Sequence, residues 1–322
     1  MYVFVVLCAI FLFKDSTQYD ISFDITPINT DKEGEYVCYK FPLDTFNEAY
    51  LDDTTLDIKD HSVVHHVGVG FCEQPTSDTM VWKCNEEQAG KVIKTCQGAS
   101  TTLIGWKPPQ DVDIALGQST SYKYVIVEVH YGAKTEESSQ SVAQITLKLK
   151  NTRSKYVYQT HSLLTSGYIP ANEKRGYFSE VACPWKRPPV TVYQYNAHTH
   201  AHGILVEGYL IRNGTWRLLG GPLIQGKIFD PTAYDVIGGP VTLEKGDILA
   251  TRCLFRNDSP HPIPFGLDEE MCVFHLIFGY DKQYEKDFSI PLACVVDAQE
   301  FSFCGHEETS AVCTKPKDRV FM

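Results

Sequence analysis

The segment Tyr122–Tyr131, YKYVIVEVHY, is rich in valine, isoleucine and tyrosine, residues that fit the pleated surface of a β-sheet. Four further segments have the same character: Ser62–Phe71 (SVVHHVGVGF), Val190–His198 (VTVYQYNAH), Gly203–Arg212 (GILVEGYLIR) and Val273–Tyr280 (VFHLIFGY). Gly, Pro, Asn and Asp separate these runs, and helical periodicity is scarce. The pattern predicts an all-β protein that folds as a sandwich or a barrel.

The length of 322 residues is enough for two domains or one large one. A polar stretch near the middle, Lys148–Lys155 (KLKNTRSK), marks the best candidate boundary. We therefore expect an N-terminal β-sandwich over residues 19–152 and a C-terminal one over 153–322. The net charge of −11 disfavours nucleic acid as a partner, because such partners need a basic patch.

The chain contains eleven cysteines and no CxxC motif, which disfavours zinc ribbons and thioredoxin-like sites and favours disulfides in an oxidising compartment. The apolar run Met1–Phe13 is shorter than the ~20 residues that a membrane helix needs, and no other run is long enough. It predicts a signal peptide over residues 1–18, with a buried N-terminal strand as the alternative. Removing the leader would remove Cys8 and leave ten cysteines. The glycosylation sequons at Asn213 and Asn257 agree with a secreted or secretory-pathway protein.

Seven of the eleven histidines lie in or beside these strand segments. They form four groups: His65-His66, His130, His198-Thr-His200-Ala-His202, and His275. Residues two apart on a strand share a face, so His198 and His200 can bind one ion together. His202 could join them only if the strand continued, and Gly203 indicates that it ends.

Adjacent histidines point to opposite faces of a regular strand. His65 and His66 can therefore reach one metal only if the backbone bulges or turns. A single histidine such as His130 is more often a core residue than a ligand, but the groups together predict at least one metal site. Imidazole suits zinc, copper, iron and nickel, whereas a thioether such as that of Met271 selects Cu(I). Taken alone, Met271 would be read as core packing.

Six pieces of the chain occur in an order that resembles the copper type II ascorbate-dependent monooxygenases. They are HHVGVGFC, VEVHYG, HTHAHG, GYLIRNGTW, GDILATRC and DEEMC. The resemblance extends from about Tyr36 to Cys294 and is strongest to the peptidylglycine α-hydroxylating members. It implies two β-sandwich domains with one copper each, ascorbate as the reductant and O₂ as the co-substrate.

By the resemblance, His65, His66 and His130 are the ligands of the first copper, and Tyr36 lies near it. His198, His200 and Met271 correspond to the ligands of the second copper, where O₂ and substrate meet. The resemblance also implies four disulfides: Cys38–Cys84, Cys72–Cys96, Cys183–Cys294 and Cys253–Cys272. Cys304 and Cys313 remain in the tail and could pair with each other.

The positions that hold the substrate carboxylate in peptide-amidating members read Asn196, Val273 and His275 here. The family arginine is replaced by Asn196, which cannot supply a charged, bidentate contact. Either another cation takes its place or the substrate is not a peptide carboxylate. His275 could bind a carboxylate if protonated, act as a base, or be an ordinary strand residue. Glu128 stands where the family has glutamine and could hydrogen-bond a ligand histidine.

The sequence thus predicts a copper monooxygenase that hydroxylates the Cα of a C-terminal glycine in peptides, the first step of peptide amidation. We expect a separate lyase to release the amide. One alternative keeps the chemistry on a small amine or phenol, and another is a secreted copper-binding protein without turnover. A zinc hydrolase is disfavoured by Met271 and by the lack of an HExxH motif.

Overall fold

The computed structural model describes residues 18–84, 87–88, 91–92, 94–105, 107–224, 232–266 and 270–297. The leader with Cys8, apart from residue 18, lies outside this range, as does the tail with Cys304 and Cys313. Within the described residues, no helix has the length and apolar character needed to cross a lipid bilayer.

Twelve strands lie in the part of the first half that the structure describes. They are β1 (Tyr19–Ile25), β2 (Tyr36–Pro42), β3 (Ala49–Ile58), β4 (Val64–Pro75), β5 (Val81–Lys83), β6 (Glu87–Gln88), β7 (Lys91–Val92), β8 (Cys96–Leu103), β9 (Val112–Asp113), β10 (Ala115–Leu116), β11 (Tyr124–Tyr131) and β12 (Ala143–Lys150).

The second half contributes a further set of strands and a short 3₁₀ helix, Lys282–Asp287. The strands are β13 (Tyr156–Ser166), β14 (Tyr168–Ile169), β15 (Glu173–Pro184), β16 (Val190–His198), β17 (Gly203–Arg212), β18 (Thr215–Ile224), β19 (Tyr234–Asp235), β20 (Val241–Leu243), β21 (Ile248–Asn257), β22 (Ile263–Pro264), β23 (Val273–Tyr280) and β24 (Leu292–Asp297).

The first half folds as two packed sheets, with strand orders β1-β12-β3-β10 and β5-β2-β11-β4-β8. Strict alternation in β12, AQITLKLK, buries every second side chain and leaves the others at the surface. The inward side chains of both sheets, from Ile25 to Leu149, form one hydrophobic core.

The second half repeats this layout with sheets β19-β16-β23-β13-β24 and β15-β21-β17-β18 around a second core. The long ladders are antiparallel, while β13 pairs in parallel with β24 and with β9. The structure therefore confirms the predicted all-β class with two sandwiches.

The two sandwiches meet along β13. Tyr158 and Ile277 belong to strands of the second sandwich but are buried in the first core. The Tyr158 hydroxyl accepts a hydrogen bond from Ile104 N at 3.0 Å. The fully buried Gln159 donates to Ser100 O at 3.1 Å and accepts from Thr101 Oγ1 at 2.9 Å. The junction is thus built from buried, hydrogen-bonded side chains.

Four disulfides join strands within the sandwiches: Cys38–Cys84, Cys72–Cys96, Cys183–Cys294 and Cys253–Cys272. These are the four pairings that the family resemblance implies. Cys253–Cys272 connects β21 to the residue that follows Met271, so it braces the segment in front of β23.

The two sequons differ in accessibility. Asn213 is exposed in the turn between β17 and β18, where φ is 51° at Asn213 and 76° at Gly214. Asn257 is fully buried, and its Nδ2 donates to Pro170 O and His261 O, both at 2.9 Å. An amide held this way cannot accept a glycan in the folded protein, so the folded state leaves Asn213 as the accessible sequon of the two.

Candidate metal centre

The first histidine group lies on neighbouring strands of one sheet. His66 of β4 pairs with His130 of β11, and His130 pairs on its other side with Tyr36 of β2. The β4–β11 register shifts directly after this pair, so that Tyr131 pairs with Val64. His65 is the extra residue at this bulge. The structure therefore contains the bulge that two adjacent histidines need in order to reach one metal.

The three rings converge on one point. Nδ1 of His65 lies 3.2 Å from Nδ1 of His130 and 3.2 Å from Nδ1 of His66, and the third edge of the triangle is 3.4 Å. Ligand nitrogens ~2.0–2.1 Å from an ion in tetrahedral geometry stand about 3.3 Å apart. The donor set and its spacing thus fit a single metal ion.

Tyr36 orients one of the three ligands. Its ring stacks on the His130 ring with a centroid distance of 4.1 Å and an interplanar angle of 2°. A stacked aromatic face restricts the rotation of the imidazole and leaves its edge directed at the other histidines.

The charge environment of His66 links the first group to the second. Burial is the main cause that lowers its pKa to about 4, and the neighbouring His130, His65, His198 and His200 contribute to the same shift. His198 and His200, which belong to the second group, are therefore close enough to His66 for their charges to affect it.

The second group is centred on the end of β16. His198 is the last residue of the strand and His200 lies just beyond it. Their ring centroids are 5.0 Å apart with an interplanar angle of 81°. Burial, together with His200 and His275, lowers the pKa of His198 to about 4, which leaves a neutral imidazole with a free lone pair at pH 7. A neutral ring is the form that binds a metal.

Met271 reaches this region from a different segment. It stands directly before β23, next to the buried, disulfide-bonded Cys272. The carboxylate of Glu270 accepts hydrogen bonds from the backbone N–H groups of both His200 and Met271. The backbone N–H groups of His200 and Met271 thus share one acceptor, Oε1 of Glu270.

His202 takes a different position from His198 and His200. It lies in the turn after β16, where its backbone N–H donates to Glu270 Oε2 at 2.8 Å. Its ring nitrogen Nδ1 lies 3.3 Å from the same oxygen. The strand ends before His202, as Gly203 indicated.

The predicted substrate residues Asn196 and His275 are cross-strand neighbours on β16 and β23. On the other side of His275, the partner on β13 is Ser162, whose Oγ lies 2.7 Å from His275 Nδ1. Asn196 donates from Nδ2 to Thr232 O at 3.0 Å. Burial, with a smaller effect from His161, lowers the pKa of His275 to about 4. Val273 is buried.

Glu128 lies beside the Cys38–Cys84 disulfide rather than in the centre of the histidine triangle. One of its carboxylate oxygens and the two sulfurs lie within 4.8 Å of one another. It is in register with Cys38 on β2 and Gly68 on β4.

Two residues of the site were not identified from the sequence. Ser162 carries no motif, and only the strand register brings it to His275. Glu270 is visible in the DEEMC motif, where an acidic residue precedes a candidate ligand, but its contact with the His200 segment is non-local.

Comparison with known families gives two consecutive matches. Residues 19–138 match the copper type II ascorbate-dependent monooxygenase N-terminal domain, and residues 156–300 match the C-terminal domain of the same family. Together the matches cover both sandwiches except for β12.

Curated relatives point the same way. The chain is 26% identical to peptidyl-glycine alpha-amidating monooxygenase of Mus musculus and 28% identical to that of Rattus norvegicus, over 85% and 84% of its length. It is 23% identical to dopamine beta-hydroxylase of Homo sapiens over 80% of its length. The chain spans 28% of each amidating relative and 45% of the hydroxylase.

Proposed function

The chain belongs to the copper type II ascorbate-dependent monooxygenase family, and from this membership we propose that it is a secreted enzyme that hydroxylates C-terminal glycine in peptides at Cα. Ascorbate would provide the electrons and O₂ the oxygen atom. The amidating relatives support the peptide substrate. The disulfides support an oxidising compartment.

The observation that carries the proposal is the pair of donor sets, one on each sandwich. His65, His66 and His130 form the nitrogen triangle and would hold one ion. His198 and His200, with Met271 held close to them through Glu270, would hold the other. An all-imidazole set suits both copper oxidation states, whereas a thioether favours Cu(I).

When bound, copper would supply the one-electron chemistry and the activation of O₂ that hydroxylation of a C–H bond requires. The chain's own residues prepare the site for it. Tyr36 fixes the His130 ring, burial keeps His66 and His198 neutral, and the Cys253–Cys272 disulfide braces the Met271 segment.

A second candidate substrate, a small amine or phenol, is favoured by the row Asn196, His275 and Ser162. These side chains offer a carboxamide, an imidazole and a hydroxyl, hydrogen-bonding groups that suit a neutral or cationic partner. Dopamine beta-hydroxylase among the relatives supports this candidate.

The substrate assay separates these candidates. The protein is incubated with copper, ascorbate and O₂, and with a peptide that ends in glycine, a small amine or a phenol in parallel. Mass spectrometry detects the addition of one oxygen atom. Product from the peptide supports the first candidate, and product from the amine or phenol alone supports the second. A protein that binds copper but yields no product from any of them is a copper-binding protein.

The role of Met271 is tested by Met271→Ile, with Met80→Ile as the matched control. Met80 is 51% exposed at the surface, so its replacement leaves the two candidate copper sites intact. Because isoleucine has no ligand atom, we expect Met271→Ile to abolish hydroxylation and Met80→Ile to leave it unchanged. Full activity of Met271→Ile would disprove the assignment of the second copper.

A further inference from the structure

Glu270 is a fully buried carboxylate with an unusual set of partners. Oε1 accepts hydrogen bonds from His200 N and, at 2.8 Å, from Met271 N. Oε2 accepts from His202 N at 2.8 Å and lies 3.3 Å from His202 Nδ1. Two segments that are 68 to 71 positions apart in sequence therefore meet at one side chain.

Burial of a carboxylate is costly unless hydrogen bonds or an opposite charge compensate for it. Glu180 shows the usual solution in this protein, since its Oε1 accepts from Arg252 Nε at 2.8 Å and from Arg252 Nη2 at 2.6 Å. Glu270 instead accepts from three backbone N–H groups. These three hydrogen bonds offset the cost of burying the carboxylate, and they fix the positions of all three amides.

The register of the sheet explains why these amides need a partner. The β16–β23 ladder runs through Asn196–His275 and ends at His198–Val273. Two residues further along, the same register would place His200 opposite Met271. The ladder ends before this position. The N–H groups of His200 and Met271 donate to the Glu270 carboxylate instead of to partners across the ladder.

We propose that Glu270 is a positioning residue of the second copper site. It holds the backbones of His200 and Met271 at a fixed separation, so that imidazole and thioether are directed at one ion. The identity of the ion rests on the proposed function, whereas the tether between the two segments does not.

The first test uses copper-free, full-length protein. Amide hydrogen exchange is measured at His200, His202 and Met271 in the wild type, in Glu270→Gln and in Glu270→Ala. Glutamine has the same shape but only one acceptor oxygen, and its NH₂ group faces backbone donors. We expect protected amides in the wild type and a loss of protection in both variants. Unchanged protection in both variants would overturn the tether.

The second test uses the copper-loaded protein. Copper stoichiometry and the sulfur scattering in the X-ray absorption spectrum of the Cu(I) form report on the two sites separately. We expect Glu270→Gln to weaken the second copper by about 10- to 100-fold, as is typical when a residue supporting a ligand is changed. The sulfur signal should be lost, while the first copper is retained. Two tightly bound coppers with an unchanged sulfur signal would overturn the positioning role.

Glu180→Gln is the matched control, because it also replaces a buried carboxylate, but one on β15 whose hydrogen bonds come from the Arg252 side chain. It should lower stability and keep both coppers with the sulfur signal. Loss of the sulfur signal in this control as well would show a general structural effect and overturn the proposal. If the wild type itself lacked a copper–sulfur signal while the exchange results held, the proposed function would fail and the tether would stand.

Discussion

Asp113 is buried at the junction of the sandwiches, and its Oδ1 has no hydrogen-bond partner. Burial raises its pKa to about 6, although the Ser154 N–H group, Arg153 and Lys150 act in the opposite direction. The folded state therefore binds this proton more tightly than the unfolded chain, whose aspartates titrate near 3.8. The resulting penalty is fully present above pH 6 and disappears as the pH falls toward 4.

We expect Asp113→Asn to raise the free energy of unfolding by about 1–3 kcal/mol at pH 7, because a neutral amide removes the cost of the buried charge. At pH 4 the variant and the wild type should be equally stable. Urea denaturation at pH 4, 5, 6 and 7 checks this. A gain of the same size at every pH would contradict the assignment.

Single residues show how far the sequence alone could lead. The ligand types and spacing predicted at least one metal site among the histidine groups, with His198 and His200 able to share one ion. The need for a bulge or turn at His65 and His66 followed from strand geometry alone. Ser162 and Glu270 could not be found in this way. Their contacts depend on strand register and on the separation of β16 from β23, which local sequence does not encode.

The start of β17 controls the loop that carries His200. A Cβ atom at Gly203 would lie 2.1 Å from Thr199 Oγ1 and 2.4 Å from Thr199 Cβ, and Thr199 is fully buried between His198 and His200. We expect Gly203→Ala to displace this loop, to cost about 1–3 kcal/mol of stability and to weaken the second copper while the first is retained.

Gly266→Ala serves as the control, because a Cβ there meets no atom of the described residues within 4 Å. Copper stoichiometry and thermal unfolding are compared between the two variants. Equal behaviour of the pair would show that the close contact at Gly203 does not control the site.

At the level of elements, local composition predicted the strands well. Val190–His198, Gly203–Arg212 and Val273–Tyr280 have the bounds expected from the sequence, and β4 extends beyond the predicted Ser62–Phe71 to Pro75. Strand order was not predictable, because each ladder depends on pairings between distant segments. The position of β11 between β2 and β4, which assembles the first histidine group, is one such result.

The whole molecule should unfold as one unit. The junction buries Tyr158 and Gln159 of β13 against β8, and β9 pairs directly with β13. If one sandwich unfolded alone, the junction side chains of the other would lose their hydrogen-bond partners. Because this loss costs free energy, the two sandwiches should unfold together. Calorimetry of the copper-free full chain should show a single transition whose calorimetric and van't Hoff enthalpies agree. Two resolved transitions would contradict this coupling.

The placement of Tyr158 and Ile277 in the core of the other sandwich also has an evolutionary consequence. A recombinant chain that joined the first half of one family member to the second half of another would carry two foreign side chains into an already packed interior. Such a chimera could fold well only if β13 and β23 co-varied with the first half. The two sandwiches are therefore separate in layout, but their shared packing would require them to be exchanged together.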